Sequence, residues 1–155
     1  MGSSARLAEL GIELPDVVPP VAAYVPAKVH GDLVYTAGQL PFVEGRLPTS
    51  GKVGEGDGLV PAADAAGYAR RCALNAIAAA AAAVGGADRL TGVLKVTGFV
   101  ASVPEFTGQP AVINGASELL GEVFGDAGRH ARSAVGVPVL PLDSPVEVEV
   151  VFTWE

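Results

Sequence analysis

Cysteine and histidine are almost missing from these 155 residues: one cysteine, Cys72, and two histidines, His30 and His130. A disulfide framework needs pairs, and a zinc or iron–sulfur site needs several ligands at close spacing, so neither is expected. Charge is sparse too, at 17% of residues, and 10 Lys+Arg against 17 Asp+Glu leave a net charge of −7 with no basic stripe. A phosphate backbone is normally tracked by such a stripe, so nucleic acid is disfavoured as a partner. The longest uninterrupted apolar run, Ala76 to Val84, is nearly all alanine and falls far short of the ~20 residues that span a bilayer. No basic, apolar and cleavage-site sequence opens the chain, so the expected place is the cytoplasm, away from membranes. A phosphate-binding loop, GxSxG, HExxH and a glycine-rich dinucleotide fingerprint are likewise absent.

What the chain does have is apolar mass. Half the residues are hydrophobic and the mean hydropathy is +0.41. The length suits one domain with a real core, and so few charges would leave a lone subunit with apolar surface, which favours a homo-oligomer.

Punctuation by Gly and Pro divides the chain. Ser3 or Ser4 can cap a short helix running to Leu10, stopped by Gly11; residues 1–16 read as an N-terminal extension and 17–155 as the domain. The proline-rich stretch Leu14 to Pro20 should run extended into a strand over Val21–Val29, and His30-Gly31-Asp32 turns it into a second over Leu33–Ala37. Five glycines and two prolines from Pro41 to Gly58 predict a loop. A long helix follows over Ala62–Val84, with Pro61 suited to its first turn and Gly85-Gly86 as its stop. Its Ala69, Ala73, Ala76 and Ala80 form a smooth face that another backbone can approach. Leu90–Val103 reads as a strand and Gln109–Phe124 as a helix; Arg132–Val139 and Val146–Trp154 read as two closing strands. Hairpins at both ends with two helices between them describe an α+β layer: a mostly antiparallel sheet with both helices on one face.

The closing strands carry the most informative chemistry. Period-two alternation in Val146-Glu147-Val148-Glu149-Val150 sets the glutamates on one face and the valines on the other. Small residues after Arg132 leave that side chain room. If the two strands are neighbours, a guanidinium and a carboxylate share one cavity. A surface ion pair is one explanation; a two-pronged grip on a carboxylate ligand, with the glutamate moving protons, is the other. Cys72, set among alanines, reads as a small core residue.

Tyr24-Val25-Pro26-Ala27, then Leu33 through Pro41 with Gly38 inside it, then Asn114, then Arg132-Ser133-Ala134-Val135 with Leu140-Pro141 and Val146-Glu147-Val148-Glu149, resembles the Rid family. That family is also called YjgF-like, reactive intermediate deaminases, or L-PSP endoribonucleases. The match runs from about Val17 to Trp154. The loop after Gln39, the N-terminal extension and the Gly128–Ser133 segment resemble a longer YjgF-like subgroup. The resemblance implies a chorismate-mutase-like α+β homotrimer with ligand clefts between subunits and no cofactor. It implies hydrolysis of small enamines or imines, such as 2-aminoacrylate or 2-iminopropanoate, to a 2-keto acid and ammonia. Arg132 would grip the substrate carboxylate and Glu147 would position or activate water. Gly38 and position 134 would offer backbone contacts, and Tyr24 and Asn114 would line the cleft. Ala37 and Ala134 stand where many relatives have serine and cysteine. His130 stands where many have proline, either at the cleft rim or capping a turn beside Gly128. A trimer that binds metabolites without turnover, and the older ribonuclease label, are the alternatives.

Overall fold

The computed structural model describes residues 1–17 and 23–155. Among them, three α-helices, α1 Ser3–Glu9, α2 Ala62–Val84 and α3 Gln109–Phe124, accompany five strands. These are β1 Ala27–His30, β2 Leu33–Thr36, β3 Leu90–Ala101, β4 Ala131–Val137 and β5 Val146–Trp154, in one sheet of order β1-β2-β5-β3-β4. All neighbours pair antiparallel except β3 and β4, which are parallel. The fold is α+β of the chorismate-mutase-like kind, with α2 and α3 on one face of a mostly antiparallel sheet.

Residues paired across strands share a face. Val96 lies opposite Val150 and Arg132, and Gly98 opposite Val148 and Ala134, which assigns all of them to the helix-covered side. There Val96, Val100, Val146, Val148, Val150 and Phe152 build the core. Lys95, Thr97, Phe99, Glu147, Glu149 and Val151 take the other, uncovered side.

The helices meet through small side chains. Ala69, Ala73, Ala76 and Ala80 of α2 are fully buried, as their spacing predicts. On α3, a Cβ added to Gly115 would collide with the Ala66 carbonyl oxygen, so the two backbones come this close because Gly115 has no side chain. Arg70 grips Glu122 across the same pair at 2.6 and 3.2 Å, and that hydrogen bond, with the Arg70 charge, holds the Glu122 carboxyl below its usual range. The pair is substantially exposed and adds little stability.

Several boundaries differ from expectation. The α1 cap position is Gly2; Ser3 is inside the helix, buried, donating its hydroxyl to the Leu90 carbonyl at 3.3 Å. Leu7 enters the core and Arg6 Nε donates to the Glu122 carbonyl at 2.8 Å, so α1 is docked on the domain. Pro61 is the cap residue of α2 rather than part of its first turn. The first strand begins at Ala27, after a bend at Tyr24; Val21 and Ala22 of the expected strand, and residues 18–20 of the proline-rich stretch, lie outside the described residues. The closing strands form no hairpin, because β3 lies between β4 and β5.

The Gly115 contact gives a direct test of the helix interface. Gly115→Ala should lower stability by about 1–3 kcal/mol or more, since backbone cannot yield as a side chain can. Urea unfolding followed by circular dichroism checks it, and an unchanged midpoint would show that the helices separate without strain.

Candidate functional site

Strand β4 is an edge strand, and α3 crosses over it on the way from β3. Arg132 therefore projects from β4 toward α3. Its Nη1 donates to Asn114 Oδ1 at 2.8 Å and to Ser117 Oγ at 3.1 Å, while Nη2 donates to the Pro110 carbonyl at 3.3 Å. Asn114 and Ser117 are three apart on α3, hence on one face of it. These bonds occupy three of the five guanidinium hydrogens and leave Nε–H with the second Nη2 hydrogen, the side-on fork that fits a carboxylate. Among the described residues Arg132 forms no ion pair. A partly buried arginine fixed on one edge and unpaired on the other is a ready anion receptor.

His130 belongs to the same cluster. Its Nδ1 lies 2.6 Å from the Gly128 carbonyl oxygen and its Nε2 lies 2.9 Å from Ser117 Oγ. The histidine thus caps the turn beside Gly128 and reaches the arginine's partner. A cavity of about 350 Å³ opens here, lined by Ser117, Gly121, Gly128, Arg129, His130 and Arg132.

Glu147 lies apart from that cluster. It lies opposite Phe99 on the uncovered side of the sheet. The Gln39 and Val148 backbones exchange hydrogen bonds at 2.8 and 3.0 Å, which pins Gly38 beside β5. A Cβ at position 38 would run into the Glu147 carboxylate, so glycine there lets the acid lie flat against backbone. Partial burial raises the Glu147 carboxyl above its usual range, and the neighbouring charge of Glu149 adds to that shift.

The condition for a shared cavity, that the two closing strands be neighbours, is not met. Arg132 and Glu147 sit on strands separated by β3 and on opposite faces of the sheet. The expected residues fall into two groups instead: Arg132, Asn114 and His130 under α3, and Gly38 with Glu147 on the open side. Ala134 shares the Arg132 face and packs on the core. Tyr24 is exposed, at 58%, in the bend before β1. Sequence reasoning missed Ser117, whose signal was its helical spacing from Asn114.

The fold is that of a chorismate-mutase-like subunit, and its edge strand carries an arginine without an ion-pair partner among the described residues. The family described as YjgF/chorismate mutase-like, putative endoribonuclease, matches residues 4–153, and the chain belongs to it. Protein TCP17 of Trypanosoma cruzi is 41% identical over 153 residues, covering 94% of this chain and 90% of that protein. The protein Atu1372 from Agrobacterium tumefaciens is 44% identical with a TM-score of 0.88, covering 99% of this chain and 92% of its own. A putative endoribonuclease from Shewanella oneidensis MR-1 is 32% identical with a TM-score of 0.91, covering 99% of both chains. No helix among the described residues is long and apolar enough to cross a membrane.

The raised Glu147 carboxyl has a consequence for stability. Folding disfavours its charged form, so its contribution is full below the ordinary carboxylate range and is lost as pH rises through the raised value. Glu147→Gln should therefore melt above wild type near neutral pH, with the gap closing as pH falls below about 4. Melting temperatures across that range check the sign; a gap that stays constant would mean the carboxyl ionises normally.

Proposed function

We propose that this protein hydrolyses small reactive imines and enamines to 2-keto acids and ammonia, without a cofactor, in clefts assembled between the subunits of a homotrimer. The observation that carries this reading is the division of the chemistry into two half-sites. One is an arginine with an open carboxylate fork at a sheet edge, and the other is a desolvated glutamate against glycine backbone on the uncovered face. A second copy can bring its edge to that face, whereas one subunit alone cannot unite the two groups. Tyr35 and Val135, 46% and 44% exposed on the uncovered face, supply apolar surface for such a contact. The residue pattern shared with imine deaminases supports the same assignment.

The chemistry follows from the groups. Arg132 holds the carboxylate of a 2-imino acid through Nε–H and Nη2–H, with Asn114 and Ser117 fixing the guanidinium plane. A protonated imine carbon is electrophilic, so water adds to it directly. Glu147, with its proton affinity raised by burial, takes a proton from that water and returns it to the nitrogen. The C–N bond then breaks and ammonia leaves, with one water consumed per keto acid formed. Gly38 keeps backbone rather than a side chain beside the reacting carbon.

Subunit complementation tests the division. Arg132→Ala and Glu147→Gln should each lose most turnover of a freshly generated imino acid, as read by ammonia and keto-acid release. Co-expressed, the two variants should regain about a quarter of wild-type activity, since in a randomly mixed trimer one cleft in four receives both intact groups. No recovery, with mixed trimers confirmed by mass, would mean that the groups do not meet across subunits. Wild-type rates in either single variant would defeat the deaminase reading itself.

A further inference from the structure

Ser117, besides fixing Arg132 in the proposed imine hydrolysis, takes part with His130 in a second arrangement under α3. A carbonyl oxygen can only accept, so the Gly128 carbonyl at 2.6 Å places the proton of neutral His130 on Nδ1 and leaves Nε2 bare. Ser117 Oγ already accepts the Arg132 Nη1 hydrogen at 3.1 Å, and its own proton points to Nε2 at 2.9 Å. A hydroxyl, an unprotonated imidazole nitrogen and a third group orienting that imidazole therefore stand in line. That is the layout of an activated nucleophile and its base. Both residues line the open cavity of about 350 Å³ together with Arg132, and Arg129 at its rim pairs with Asp126 at 3.5 Å.

We propose that Ser117 and His130 form a nucleophile–base pair that cleaves small activated acyl esters in this cavity, an activity separate from imine hydrolysis. Ser117 Oγ bonds to the acyl carbon while its proton passes to His130 Nε2. The carbon–oxygen bond to the leaving alcohol breaks, and Nε2 returns the proton to that oxygen. Water then adds to the acyl carbon, giving its proton to Nε2, and the free acid departs as Oγ regains a proton. No oxidant, reductant or metal enters the balance. Arg132, which lines the same cavity and forms no ion pair among the described residues, supplies positive charge to the oxyanion formed in each half-reaction.

The test is a fluorophosphonate probe with intact-protein and peptide mass spectrometry, which requires no imine substrate and so stands or falls apart from the deaminase reading. Wild type should gain a single phosphonyl group at Ser117, and Ser117→Ala should gain none. His130→Gln should slow the labelling by about 100-fold, the scale of general-base assistance. Should these variants fold poorly by circular dichroism, Ser117→Cys provides a second reading: iodoacetamide should alkylate position 117 faster with His130 present than with His130→Gln. Failure of the folded wild type to label, labelling that survives in Ser117→Ala, or alkylation indifferent to His130 would each overturn the proposal and leave the pair as a support for Arg132.

Discussion

The parallel pairing of β3 with β4 is the constraint on which the rest depends. Parallel neighbours cannot be joined by a tight turn, so the chain must cross over, and here it crosses as α3. That crossover lays α3 over the edge strand and fixes which face of β4 it covers. Arg132 is therefore received by Asn114, Ser117 and the Pro110 carbonyl. β3 simultaneously takes β5 on its other side, which places Val146, Val148 and Val150 in the core and Glu147 on the uncovered face. The location of both charged groups follows from one strand insertion.

Packing economy makes the arrangement feasible with few charges. α2 and α3 approach each other through alanine and Gly115, so the two helix backbones lie close together over the sheet, while Ile113 of α3 fills the space above Gly98. Phe152, against Phe124 at 5.9 Å, fills the end where small residues would leave a void. Among the described residues, no helix covers the opposite side of the sheet. That face mixes Tyr35, Phe99, Val135 and Val151 with Lys95, Thr97, Glu147 and Glu149, and it is where the proposed trimer would seat another copy.

The electrostatics differ between the two groups in a way that matches their chemistry. Arg132 keeps its charge and is oriented by neutral oxygens, which position it without neutralising it. Glu147 sits where burial and Glu149 make ionisation costly, so it holds a proton more readily than a surface carboxylate. A fixed cation and a proton-holding acid are the two groups that the proposed imine hydrolysis requires.

Local pattern determined much of this protein. The bounds of α2, α3 and β5, the smooth alanine face and the alternation that sets Glu147 apart from its valines follow from spacing and from Gly and Pro punctuation, because they depend on residues near one another in the chain. Arg132 and Glu147, on which the proposed chemistry rests, stood out for the same reason. Tertiary structure alone decided that β3 lies between β4 and β5, that the two groups face opposite ways, and that Ser117 and His130 meet at Arg132. Period-two alternation tells which residues share a face of their own strand. It does not tell which strand lies alongside, since backbone hydrogen bonding is the same for any partner and the choice is made by the crossover and the core it buries.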